Sequence, residues 1–444
     1  MSRLRPAPLL ACLLAGVAAI LFGACPSERT LPMGAGAPCP DCNLVLISLD
    51  TLGADHVGAY GYGKPTTPSI DALAARSVLF EDAVSQSAWT RPAHASMFTG
   101  LHPNQHGIAS QGESIALSEE VPTLTTVLRE HGYATAAFTG GANMQPRYGL
   151  GRGFDLYHAK SEHMRENVAP ALAWIDAAKQ PFFVFLHGYE PHRPYRSDPV
   201  DRAKLGLADP PRDFKERCEQ GPPPADREPY VGEYDGAVRR GDRAVGAFLR
   251  GLEERGLLDR TVVIFTSDHG EELFEHGGCY HVETLYGEVL RVPLLVRAPG
   301  VEPKRVEGIV AASVAVAPTA LELLGFEKSP LPGPSLAGSI LGEDSPAALF
   351  VVSETGSAAR GMVRSLTAGD EKLVHWVNRD RFEVYDLRSD PAEQRPLAEA
   401  DREEKMKKQL ADWIAAHPRV AEPKQIQPPS RALRKKLRRL GYVE

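Results

Sequence analysis

The sequence predicts an α/β fold with a largely parallel central sheet flanked by helices, followed by a smaller C-terminal antiparallel sheet and helix. Three observations carry this reading. Short runs that are apolar on both faces alternate with amphipathic segments over residues 43–340. Several of those runs end directly on polar residues able to do chemistry. After about Leu341 the pattern changes to short strands separated by turns and closed by a helix.

The chain has 444 residues, 43% hydrophobic and 24% charged, which is ample for a large core. Its formal net charge of −7 provides no basic face for phosphate backbones, so a general nucleic-acid binder is excluded. Residues 1–25 read as an export signal: Arg3 and Arg5 lead an apolar run, Leu9–Phe22, that is short against the roughly 20 residues a membrane span needs. LFGAC resembles a bacterial lipobox, with Phe22 three before the cysteine. On that reading Cys25 carries a lipid, and the protein is exported and membrane-anchored, facing the periplasm or cell surface. Simple cleavage and release is the alternative. Residues 26–42, rich in Pro, Gly and Ala, form a tether. The spacing of Cys39 and Cys42 in CPDC suggests a local disulfide in an exported protein, and the pairing of Cys218 and Cys279 stays open.

Five runs read as buried strands: Leu44–Leu49, Ala134–Thr139, Phe182–Leu186, Val262–Thr266 and Leu294–Arg297. Helices over Ile70–Ala75, Leu124–His131, Val168–Ala178 and Tyr234–Arg255 follow from apolar residues at three- and four-residue spacing, with Gly132 and Gly256 as stops. Ser197–Glu233 breaks the alternation as a long excursion, either a substrate lid or a structureless insertion. Residues 341–444 form the smaller subdomain, with strands at Leu349–Val352, Gly361–Leu366, Lys372–Val377 and Phe382–Asp386 and a helix over Ala400–Ala416. The basic tail, RALRKKLRRLGYVE, sets Leu433, Leu437 and Leu440 on one helical face, for docking on the main body or for a membrane surface.

In open α/β sheets ligands bind beyond the carboxyl ends of the strands. Three of these ends deliver Asp50-Thr51, His187 with Glu190 and His192, and Asp268-His269. Asp50, Asp268 and His269 combine hard oxygen with imidazole, a set for one divalent metal, zinc or calcium. Thr90, before Pro92 and a helix start, is the candidate nucleophile; as a bare sequence feature it is equally an N-cap. Arg91, His94, His187, His192, His276 and His281 are candidates for anion binding and leaving-group protonation. We assign His94, His192 and His281 to catalysis and Arg91, His187 and His276 to substrate binding. An alternative for the histidines is a second metal, held by Glu190, His192 and His281.

The run TRPAHASMFTG resembles the nucleophile motif of the sulfatase family, within the alkaline phosphatase superfamily. Thr90 takes the nucleophile position, Pro92 the proline, and Thr99-Gly100 the closing pair. NLVLISLDTLGADHVGAYGY resembles the opening segment, TSDHGEELFEHGG the second metal segment, HGYEPHRPY the segment ending in P-H-x-P, and VYDLRSDPAEQRPL the C-terminal one. The resemblance implies an alkaline-phosphatase-like fold over residues 43–340 and metal binding by Asp50, Thr90, Asp268 and His269. Departures are specific. Sulfatases carry Cys or Ser at the nucleophile and convert it to formylglycine, which Thr cannot become. His94 replaces an Arg, Thr51 a second acidic ligand, and TGGA (Thr139–Ala142) a segment bearing a Lys and a His. The expected activity is metal-dependent hydrolysis of sulfate esters on a small molecule or glycan, with Thr90 as nucleophile. Alternatives are a phosphodiester or phosphonate hydrolase, a phospho-substituent transferase, or a non-catalytic surface lipoprotein.

Overall fold

The computed structural model describes residues 39–440 apart from 110–113, 210–224, 282, 344–349 and 358–360. The export signal, Cys25, most of the tether and Cys218 lie outside the described residues, as does much of the excursion before the long helix.

Eight strands form the main sheet in the order Lys304–Ala311, Val78–Val84, Leu294–Arg297, Thr261–Thr266, Asn43–Leu49, Phe182–Gly188, Ala134–Phe138, Leu156–His158. All run parallel except Leu294–Arg297, which is antiparallel to both its neighbours. The central strand shows why its sequence does not alternate. Leu44 and Leu46 enter one core, while Val45, Ile47 and Leu49 enter the core on the opposite face. Phe183 and Phe185 divide from Phe182, Val184 and Leu186 in the same way. Each such fully buried side chain contributes about 1.5–3 kcal/mol.

Helices Thr90–Thr99, Leu124–Glu130 and Ala312–Leu323 cover the first face, and Pro68–Ala74, Met164–Ala177 and Glu228–Glu254 the second. Gly132 and Gly256 end their helices at φ of 83° and 62°, as their placement in the sequence predicts. Three strands escape the sequence pattern: Val78–Val84, Leu156–His158 and Lys304–Ala311. The first carries Glu81 and Asp82 at its half-buried middle, and the last two are the sheet's edges. Helix Ala312–Leu323 is missed for the opposite reason, being buried almost all round, so no polar face marks its period.

The second sheet is a four-stranded antiparallel meander, Val351–Ser357, Gly361–Ala368, Glu371–Trp376 and Arg381–Asp386. Met406, Leu410 and Trp413 of helix Ala400–Ala416 pack on one face of it. Its other face joins the main body, with Val351, Val363 and Val374 against Leu285 and Val314. The tail forms a helix, Arg431–Arg439, that docks on the main body and buries Leu437 and Leu440 in the first core. Cys39 and Cys42 form a disulfide just before the central strand. Cys279 is also disulfide-bonded. No helix among the described residues is long and apolar enough to cross a membrane.

Candidate active site and metal centre

Strand register builds the site. Ser48 of the central strand lies level with His187 on one neighbour and Thr266 on the other. The residues two beyond Ser48 and Thr266, Asp50 and Asp268, therefore leave the same edge side by side. Thr51 N–H donates to Asp268 Oδ1 at 3.2 Å, and Leu52 N–H to Ser267 Oγ at 2.9 Å, locking the two turns together. Thr51 adopts a left-handed φ of 60°, a strained conformation for a β-branched residue, and its Oγ1 is buried without a hydrogen-bond partner. Gly270 follows His269 because a Cβ there would lie 2.1 Å from the Glu288 carbonyl oxygen.

Asp50, Asp268 and His269 are fully buried, and one ligand atom from each lies within 4.8 Å of the others. Asp50 Oδ1, Asp268 Oδ2 and His269 Nε2 have no hydrogen-bond partner. Burial, then the charges of Asp268 and Glu271, push the Asp50 carboxyl well above its usual range. Against its own burial, the neighbouring rings of His269, His94 and His187, together with the Thr51 N–H bond, hold the Asp268 carboxyl below its usual range. Two carboxylates crowded in a dry site, with three orphaned ligand atoms converging, fit a divalent cation. Among the described residues this is the one group of its kind. The second set does not assemble: Glu190 turns its carboxylate away, toward the Arg165 N–H at 3.3 Å.

Thr90 is the first residue of helix Thr90–Thr99 and Trp89 is the cap, so Thr90 is no N-cap; the Trp89 side chain makes no capping bond. The Thr90 side chain hydrogen-bonds Asp50 instead, which ties the hydroxyl to the metal group. The loop leading to it is held by the small sheet. Ser353 Oγ donates to Ser85 O at 2.6 Å, Glu354 N–H to Gln86 O at 2.9 Å, and Trp89 Nε1–H to Gly356 O at 3.1 Å. The smaller subdomain thus positions the helix that carries Thr90.

The structure gathers some of the remaining predicted residues here and sends others elsewhere. His187 Nε2–H donates to Asp50 Oδ2 at 3.2 Å, and burial keeps that imidazole neutral. His281 pairs through Nδ1 with Glu271 Oε1 at 2.7 Å, and its ring centroid lies 4.4 Å from that of His269 and 5.0 Å from that of His192. Burial drives Glu271 well above and His281 well below their ordinary values, both toward neutral forms. His192 is likewise held down to about 3 by burial. His94 is spent on structure, with Nδ1–H donating to Thr90 O at 2.7 Å and Nε2 accepting from Ser48 Oγ at 3.0 Å. Arg91 turns to Asn143 Oδ1 at 2.8 Å and stacks 3.6 Å over the Tyr148 ring. Glu271 is the residue missed by sequence reasoning; its only signal is a carboxylate two places after His269.

His276 stands apart, bonded to Glu288 Oε1 at 2.7 Å and Glu393 O at 3.0 Å and stacked on Tyr286. Against its burial, those bonds raise it to about 9. Because the folded value exceeds the ordinary 6.5, its stabilising contribution is complete below that value and is lost as pH rises through about 9. The melting-temperature gap between wild type and H276Q, read by scanning fluorimetry, should be open at about pH 6 and closed by about pH 10.

A family model for sulfatases matches residues 42–326. The chain belongs to the sulfatase family. A second model, the C-terminal region of N-sulphoglucosamine sulphohydrolase, matches residues 275–419. The delta 4,5-hexuronate-2-O-sulfatase of Bacteroides thetaiotaomicron is 25% identical over 84% of this chain and 87% of its own. Human arylsulfatase A is 26% identical over 70% of this chain and 69% of its own. The phosphonate monoester hydrolase of Agrobacterium radiobacter shares the fold, with a TM-score of 0.70 and 20% identity over 87% of this chain and 100% of that one. This sulfatase-family chain is an ester hydrolase built on the alkaline-phosphatase-like fold.

Proposed function

We propose that the protein hydrolyses sulfate esters with Thr90 as nucleophile, in place of formylglycine, and a divalent cation held by Asp50, Asp268 and His269. The observation that carries this is the Thr90 hydroxyl bonded to Asp50 inside the only converging group of orphaned buried ligand atoms among the described residues. When bound, the cation supplies positive charge that favours ionisation of a hydroxyl and neutralises the ester's anionic oxygens.

The chain's own residues account for the rest. Asp50 accepts the Thr90 hydrogen bond and draws the proton from Oγ as it attacks. A Thr90 Oγ–sulfur bond forms while the bond from sulfur to the leaving oxygen breaks. His281 gives its Nε2 proton to the departing alcohol while the neutral Glu271 carboxyl passes its own proton to Nδ1, with His192 beside the pair. Water then attacks the sulfur, giving one proton back to the His281–Glu271 pair, while the Thr90 Oγ–sulfur bond breaks, Asp50 returns its proton to Thr90 and hydrogen sulfate leaves. His94 acts through another group, fixing the Thr90 carbonyl and thereby the first helical turn. The hexuronate-2-O-sulfatase relative and the family match favour sulfate over phosphate esters, on a sulfated saccharide or small ester. We also propose that residues 1–25 export the chain and that Cys25 anchors it to the membrane.

A panel of aryl sulfate, phosphate monoester, phosphodiester and phosphonate substrates tests the reaction, and peptide mass spectrometry on acid-quenched turnover tests the nucleophile. The expected result is fastest turnover of the sulfate and a sulfate adduct on the peptide containing Thr90. Preferred phosphonate turnover with a phosphonyl adduct on Thr90 would keep the nucleophile and reverse the ester class.

A further inference from the structure

The C-terminal helix walls a cavity of about 740 Å³, a size ordinary for a ligand site. Six cationic side chains line it: Lys160, Arg196, Lys435, Lys436, Arg438 and Arg439. The one acidic group lining it is Glu162, already engaged by Lys436 at 3.4 Å and by Arg439. A chain of net charge −7 thus concentrates positive charge at one cleft. A solvated helix face would scatter these charges; here they converge with Lys160 and Arg196 from two other segments.

The cleft is linked to the catalytic group through a short chain of contacts. Lys436 Nζ donates to Gly140 O at 2.8 Å, and Tyr189 OH to Gly141 O at 3.1 Å. The Tyr189 ring then lies 4.6 Å from that of His187 and 5.5 Å from that of His192. On the other side Arg193, the residue after His192, donates through Nε to Leu440 O at 3.3 Å. The Gly140-Gly141 pair makes room for this. A Cβ on Gly140 would lie 2.2 Å from the Tyr189 ring, and one on Gly141 would lie 3.0 Å from Lys436 Nζ. Where the family motif carries a Lys and a His, this chain has glycines and brings a lysine in from its far end.

We propose that this cleft is an anion subsite that holds a second negatively charged group of the substrate, so that the enzyme acts on a polyanionic oligosaccharide rather than on an isolated monoester. The inference rests on the sulfate-ester reading above and names the substrate class for that same site. A single ester group needs only the buried group around Thr90; the further cations of the cleft select substrates whose neighbouring sugars also carry sulfate. Such partly exposed contacts are individually weak and salt-sensitive, and they act together.

The test is binding of a heparin-derived tetrasaccharide to the full chain by calorimetry, in a Thr90→Ala background that prevents turnover. A chemically desulfated tetrasaccharide and phosphatidylglycerol vesicles serve as comparisons. The expected result is binding that weakens with salt, is lost on desulfation, and falls at least about tenfold in the Lys160→Glu/Lys435→Glu variant, whose melting temperature and metal content stay at the parent values. An affinity within about twofold of the parent in that variant would overturn the proposal. Equal affinity for the desulfated saccharide, or binding of the vesicles alone, would overturn it too. Because binding is read without turnover, a wild type that hydrolyses no sulfate ester but shows the expected binding would refute the reaction and leave the subsite standing.

Discussion

Replacing Thr90 by alanine should lower kcat on an aryl sulfate by on the order of 10⁴-fold or more, because loss of a nucleophile removes the covalent route and leaves only binding and electrostatic assistance. The protein should remain folded. Thr90 is not the cap of its helix, so no capping bond is lost. What is lost is one buried hydrogen bond to Asp50, worth about 1.5–3 kcal/mol as a bond to a charged group. Thr90→Ser keeps the hydroxyl and should recover activity to within about tenfold of wild type. The measurement is steady-state kinetics on metal-loaded protein of matched metal content. Full turnover by the alanine variant would sink the mechanism. A serine variant as dead as the alanine one would assign the loss to packing around the methyl group rather than to the hydroxyl.

The parts of this site that are legible in the sequence are those fixed by local chain geometry. A strand buried on both faces shows itself as an unbroken apolar run, and the polar residues at its end must emerge at one sheet edge, which brings Asp50, His187 and Asp268-His269 together. What the sequence leaves dark depends on side-chain direction and on partners far along the chain. Arg91 and His94 sit one turn apart around the nucleophile, yet one turns to Asn143 and the other bonds back to Thr90 and Ser48. His276 shares a segment with metal-site residues but is claimed by Glu288, a neighbour only after folding. Glu271 acquires meaning only once His281, ten residues on, swings back to meet it. The tail helix advertises an amphipathic face, but nothing in its composition says that Lys436 will reach Gly140.

The metal group makes a prediction of opposite signs in one variant. Asp50→Asn removes a carboxylate that, without a cation, is buried beside Asp268 and pushed well above its ordinary pKa. In metal-free protein the substitution relieves that crowding, so the variant should melt no lower than metal-free wild type. In the presence of metal the order reverses. A ligand that binds only the folded state stabilises it by about 2.7 kcal/mol at a hundredfold excess over Kd, and wild type should gain that increment while the variant does not. For a chain of this size the increment corresponds to a rise in melting temperature of about 2–4 °C or less. Elemental analysis should find about one divalent ion per wild-type chain and under about a tenth of that in the variant. Asp268→Ala should lose the ion as well, but it also gives up the acceptor for the Thr51 N–H that holds the strained turn, so its metal-free form should melt below wild type. A variant Asp50→Asn that keeps stoichiometric metal would remove Asp50 from the ligand set. If Asp50→Asn is instead destabilised without metal, its carboxylate is satisfied by a proton in the resting fold, and the two acids share that proton rather than wait for a cation.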